Sequence, residues 1–297
     1  MKKLLVLLIS VVSLSALFFG GCSTEYDDMT EEPADMDSFS SGSNIGFEML
    51  QYPSSNGNFE YNVYETYVEI TWYTGLSTDV IIPDEIDGLP VKVIGERAFS
   101  GEKNETIIRG RSEYFSITSV TLPQNLVEIG EYAFFHHALK ELIIPDSVEK
   151  IGECAFEGNC LLSSIVFGNS LREIGEWAFR NCNLKGQIVL PESLITIGER
   201  AFDVYTDSFF NYNDVWYYSE ASTEGQAKLN GETTTYDGKD VTKIEVFEIG
   251  DATIIIPASV VSIGEDAFYW RYTLNCPKGS NAVQYIVDSG HENYCIY

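Results

Sequence analysis

The chain is poor in the groups that most chemistry needs. It has three histidines in 297 residues, His136, His137 and His291. It contains no HExxH, no Gly-x-Ser-x-Gly, no glycine-rich phosphate loop and no paired CxxC. The common signatures of metalloproteases, serine hydrolases, nucleotide-binding enzymes and zinc ribbons are therefore missing. Basic residues are scarce as well, 18 against 45 acidic, for a net charge of −27. Such a surface repels a phosphate backbone, which excludes nucleic acid, and offers no basic patch to an anionic membrane. The run Asp84-Glu85-Ile86-Asp87-Gly88 lacks the ligand spacing of a calcium loop. His136 and His137 make no established metal-site spacing with Cys154 and Cys160. No catalytic residue, metal or cofactor is expected.

What the chain does contain is one hexapeptide, Ile-Gly-Glu-x-Ala-Phe, six times over. It starts at Ile94, Ile129, Ile151, Ile174, Ile197 and Ile263, in steps of 35, 22, 23, 23 and 66 residues. A period near 22 or 23 means one small unit stacked on itself, a solenoid. Upstream, four of the six copies read apolar-x-apolar-Pro-x-x-apolar-x-x, as in LIIPDSVEKIGECAF and IVLPESLITIGERAF, and the Ile174 copy has Gly168 in place of the Pro. Alternation before the Pro predicts a strand. Val80, Val120, Leu142, Ile165, Ile188 and Ile254 make one inward column. Ile82, Leu122, Ile144, Phe167, Leu190 and Ile256 make a second. Pro ends the strand for want of an N–H. The Gly then supplies a tight bend, through positive φ or through close backbone approach. Ala-Phe begins a short helical or 3₁₀ turn, and rungs should rise by ~4.8 Å. Ile151 and Ile174 are expected to lie buried between neighbouring rungs.

This template resembles the BspA-like leucine-rich repeats of bacteria, from about residue 57 to 297. The resemblance implies a mostly β, right-handed solenoid of ~22–23-residue rungs with short turns. It also implies an N-terminal β cap with the first strand over 47–93, repeats over 94–275, and a closing helix and strand over 276–297. Cell-surface location and binding of a protein on a host or neighbouring cell are implied, with no catalytic residues.

The N-terminus reads separately. Lys2 and Lys3 precede an apolar run over 4–19, then Gly20-Gly21 and Cys22. That is a secretory signal over 1–21. It resembles a bacterial lipoprotein box, with Cys22 the diacylated residue, and two acyl chains suffice for stable anchoring. The expected location is the cell envelope, extracytoplasmic, with contact to the membrane only through that anchor. Residues 22–46 are acidic without Lys or Arg and read as a disordered tether.

Three surfaces are candidates for a partner. The hexapeptide x column holds Arg97, Tyr132, Cys154, Trp177, Arg200 and Asp266. It is either an unselected surface or a set of anchors, of which Tyr132, Trp177 and Arg200 are of the types that dominate interfaces. Cys154, in this column, is expected to be more exposed than the other cysteines. The middle strand residues Ile81, Thr121, Ile143, Val166, Val189 and Ile255 should point outward, as an apolar contact stripe or as simple β-propensity. The third is the break between Phe202 and Ile263, which replaces two expected hexapeptides. Tyr205, Phe209, Trp216 and Tyr217 there belong either to a degenerate rung or to an aromatic platform for a protein or a glycan. A smaller insertion over 100–118 carries Arg109 and Arg111. The six hexapeptide glutamates (Glu96, Glu131, Glu153, Glu176, Glu199, Glu265) suit exposed N–H groups in the first turn of the Ala-Phe segment; a cation ladder is the alternative. Cys276 and Cys295 fall on two C-terminal strands where export permits a disulfide. Cys160 and Cys182 read as a buried column, or as a bonded pair.

Overall fold

Two sets of parallel strand pairs run along the molecule, because each repeat contributes two strands; one set forms a continuous sheet and the other three shorter sheets. The computed structural model describes residues 49–100, 117–204, 251–291 and 293–297, with the backbone alone over 49–56 and over five short strands between 209 and 247. The strand expected before the Pro is present: Asp79–Ile81 pairs with Ser119–Thr121, Glu141–Ile143 with Ser164–Val166, and Gly186–Val189 with Ala252–Ile255. Ala252–Ile255 then pairs with Thr273–Cys276, and that strand with Tyr294–Ile296. A second ladder ends on the hexapeptide Ile. Ile94, Ile129, Ile151, Ile174, Ile197 and Ile263 stand partner to partner in one sheet. At its start this sheet takes up Val68–Tyr73, Phe59–Tyr64 and Met49–Asn56.

The inward columns fill the space between the ladders. Ile151 and Ile174 are 0 and 1% exposed, as expected, and both strand columns are buried except the half-buried Val120. Through the middle runs a stack of rings. Phe99, Phe134, Phe156, Phe179, Phe202 and Phe268 follow one another at centroid distances of 4.7, 5.3, 5.3, 5.3 and 5.5 Å, all within 19° of parallel. The spacing is that of neighbouring strands, so one ring fits per rung. Burial of each is worth ~1.5–3 kcal/mol.

The turn after the Ile-Gly is not helical, which corrects the expected helical or 3₁₀ segment. Its N–H groups alternate in direction. Those of Cys154, Phe156 and Gly158 reach the next rung, at Glu176, Ala178 and Arg180 carbonyls 2.8–2.9 Å away. Those of Ala155 and Glu157 bond back within the rung to Gly152 and Cys154. The cause is the x residue. Arg97, Tyr132, Cys154, Trp177, Arg200 and Asp266 all have φ between 49 and 55°, the left-handed region that breaks a helix. With no helix there, the expected pairing of the glutamates with a helix N-terminus falls away. The Gly itself is not left-handed. It is required because rungs approach closely: a Cβ on Gly198 would lie 2.4 Å from Glu176 N, and one on Gly264 2.3 Å from Glu199 N.

The two long steps add no rung. Ile197 pairs directly with Ile263, Val189 with Ile255, and the ring of Phe202 stacks on that of Phe268. The reading of 203–262 as two replaced or degenerate rungs is thereby overturned. Ile94 likewise pairs with Ile129 across the 35-residue step. Both excursions leave just after the stacked Phe and return just before the next first strand, at the same corner of the rung. Within the longer one, Phe209–Tyr212 pairs antiparallel with Val215–Ser219, which pairs parallel with Ile244–Phe247.

Candidate binding surfaces

The x column makes contacts between neighbouring rungs at two of its steps. The Arg97 guanidinium lies 4.6 Å from the centre of the Tyr132 ring. Tyr132 donates to Glu153 Oε1 at 3.3 Å. Arg200 and Asp266 are 3.4 Å apart. Trp177, half-buried, carries the Arg180 guanidinium 4.9 Å from its ring. Tyr132, Trp177 and Arg200 are thus partly covered by the column itself.

Cys154 is 0% exposed, against the expectation for its position. It sits between Tyr132 and Glu157, and burial first, then the Glu157 carboxylate, pushes its thiol well above the usual range. Glu157 pairs with Arg180 at 3.2 Å, both buried. Burial raises the Glu157 carboxyl, opposed by Cys154 and Arg180. This ion pair, three residues past the x position in adjacent rungs, carries no sequence signal that separates it from the many surface charges.

His137 is structural. His137 Nδ1 accepts from the Ile117 N–H, and Nε2 lies in hydrogen-bond contact with the Phe99 carbonyl. Burial lowers it to about 4. One rung on, Asn159 donates to the Phe134 carbonyl at 2.9 Å, and one further on Cys182 Sγ donates to that of Phe156 at 3.4 Å. The same donor position, three residues past the Phe, therefore binds the preceding rung each time. Among the described residues no three His, Cys, Asp or Glu side chains gather as a metal site.

Cys276 and Cys295 are both free, so the disulfide that export permits is not formed. Their strands do pair, but Cys295 stands opposite Asn275, and Cys276 opposite Ile296. The one-residue offset sends the side chains to opposite faces: Cys276 is buried and Cys295 exposed. Cys182 is free and buried, so the Cys160–Cys182 bond is not made either.

The outward strand column is the open surface. Ile81, Ile143, Val166 and Val189 are 76, 69, 57 and 55% exposed, with Thr121 exposed and Ile255 half-buried among them. Exposed acids border the stripe on both sides, Asp79 and Glu141 on one and Asp84, Asp146 and Glu192 on the other. Phe209, Trp216 and Tyr217 lie on the strands of the longer excursion, Phe210 opposite Tyr217 and Asn211 opposite Trp216. Their side chains, and Cys22, Arg109, Arg111 and Tyr205, lie outside the described residues.

A family model for the BspA type leucine rich repeat region (6 copies) matches residues 111–214. That stretch belongs to the BspA-type leucine-rich repeats. The chain is similar to a T. pallidum leucine rich repeat protein at 20% identity, over 82% of this chain and 98% of that one, with a TM-score of 0.32. It is similar to a leucine rich cell surface protein of Faecalibacterium prausnitzii at 19% identity, over 75 and 76%, TM-score 0.32. A leucine-rich repeat protein of Bacteroides ovatus aligns at 15% identity over 83 and 100%, TM-score 0.17. No curated protein matches the chain.

Proposed function

We propose that this is a non-catalytic binding protein of the bacterial cell envelope, held by a lipid on Cys22. It recognises a protein on a host or neighbouring cell. The exposed β-branched stripe Ile81–Thr121–Ile143–Val166–Val189 carries the reading. These side chains sit on short parallel strand pairs whose other face is the core, so they are pre-organised at little entropic cost. An exposed apolar stripe bordered by charge is the composition of an interface with a polar rim. In the finer architecture we read a right-handed solenoid of ~22–23-residue rungs, closed by the N-terminal β segment and by the helix Asn281–Ser289 with the strand after it. The signal at 1–21 directs export, and the acidic 22–46 segment sets this domain away from the membrane.

The alternative is a glycan-binding lipoprotein that uses the aromatics of 203–218. It is favoured by the separate three-stranded sheet built there, which the rung stack does not need. A soluble form comprising residues 23–297, applied to protein and glycan arrays, decides between them. Protein hits alone support the first reading; oligosaccharide hits that depend on Trp216 and Tyr217 support the second.

A further inference from the structure

The last rung and the helix after it enclose a cleft of about 340 Å³. It is lined by Asp266, Phe268, Trp270, Tyr285, Ser289 and His291, with Gly290. Gly290 ends the helix Asn281–Ser289 with φ 67°, which turns the chain back toward the rung and brings Ser289 and His291 to the cleft. Trp270 is 62% exposed, although an indole is among the most costly groups to leave in water. It is held in place by Tyr269, ring to ring at 5.6 Å and 60°. Tyr285 packs edge-on against Phe268 at 5.8 Å. The remaining lining is polar. The Asp266 carboxylate is set by Arg200 at 3.4 Å. His291 gives its Nε2–H to the Tyr272 carbonyl at 2.7 Å, which leaves Nδ1 as an acceptor.

We propose that this cleft is a saccharide subsite for a neutral pyranose. One ring face of such a sugar presents axial C–H groups and would stack on the Trp270 indole. The hydroxyls around its edge need polar partners, which the Asp266 carboxylate, the Ser289 hydroxyl and the His291 ring supply from the cleft wall. The volume lies at the small end of ligand sites, suited to one or two sugar rings. A charge of −27 disfavours anionic sugars. The proposal is independent of the protein-binding stripe, which lies on the strand face, and of the aromatic segment 203–218.

The test uses the full chain with cellohexaose, chitohexaose and mannohexaose, read by saturation-transfer NMR and by titration. Binding of at least one oligosaccharide is expected, with magnetisation reaching the axial ring protons from indole resonances. Trp270→Ala should weaken that binding about tenfold or more, the loss of one stacking contact and its buried area, with an unchanged melting temperature. Trp216→Ala should leave it unaltered. No binding by the unaltered chain would overturn the proposal, as would binding that survives Trp270→Ala or is lost instead with Trp216→Ala. Should Trp270→Ala misfold, the transfer measured on the unaltered chain decides: sugar protons that receive nothing from an indole contradict the stacking.

Discussion

The rings of Phe202 and Phe268 lie 5.5 Å apart and 5° from parallel, although the longer excursion separates them in the chain. The strand pairs on either side of them are also continuous, Val189 with Ile255 and Ile197 with Ile263. The solenoid is therefore closed without the residues between, and the excursion is an addition to a complete stack.

Removal of that excursion should therefore be tolerated. Replacing 206–249 by a short Gly-Ser linker shortens a surface loop, whose closure term changes by only ~1 kcal/mol. Cooperative melting within a few degrees of the parent is expected by calorimetry, since ~1 kcal/mol shifts a chain of this size by ~2–4 °C. Loss of the folded state would mean that the excursion supplies core.

The ring stack should carry stability. Phe156→Ala removes a ring held between Phe134 and Phe179 and should cost ~3–5 kcal/mol, and Ile151→Ala ~2–5 kcal/mol. Chemical denaturation would show this as a lower midpoint. An unchanged midpoint for either would contradict the assigned core.

Gly175 tests the closeness of the rungs. A Cβ there would lie 2.6 Å from the Gly152 carbonyl carbon, so backbone must shift to admit it. At unstrained sites Gly→Ala stabilises by ~0.4–1 kcal/mol. Here Gly175→Ala should destabilise, and a stabilised variant would show that the contact is not limiting.

His137 gives a pH signature. Its folded pKa of about 4 lies below the ordinary 6.5, so between those values the unfolded chain binds the extra proton. Its contribution is fully present above pH ~6.5 and is lost as pH falls toward ~4, by up to ~1.4 kcal/mol per pH unit. His137→Asn, which copies the Asn159 bond without a titrating ring, should remove that slope relative to the parent. The raised carboxyls of Glu128, Glu153 and Glu157 oppose it in both proteins and cancel in the difference. Parallel pH–stability curves for the two proteins would show that His137 does not titrate in this way.

The repeated hexapeptide and the alternation before each Pro made the first ladder and its core columns legible, because a buried face must repeat every rung. The second ladder was not legible. Its strands, such as Glu128–Ile129, are two residues long, too short for any period to show. The left-handed x position was hidden by its occupants, since Arg, Tyr, Cys and Trp are not residues that favour positive φ. The burial of Cys154 follows from that same backbone turn. The failure of Cys276 and Cys295 to pair depends on a one-residue register that spacing cannot supply. The cleft beside Trp270 exists only because Gly290 folds the helix end back onto the last rung. The strand-face stripe was visible as a pattern, and the structure added its exposure and its acidic border.

The account turns on that stripe, and one measurement addresses it most directly. Ile143→Glu with Val166→Glu places two charges on side chains already exposed, so folding should be unaffected. The affinity of this variant for the protein partners found on arrays is compared with that of the parent by surface plasmon resonance. The account predicts at least about a tenfold loss of affinity, as for removal of central interface contacts, with the melting temperature preserved. Undiminished protein binding by a folded double variant would contradict it.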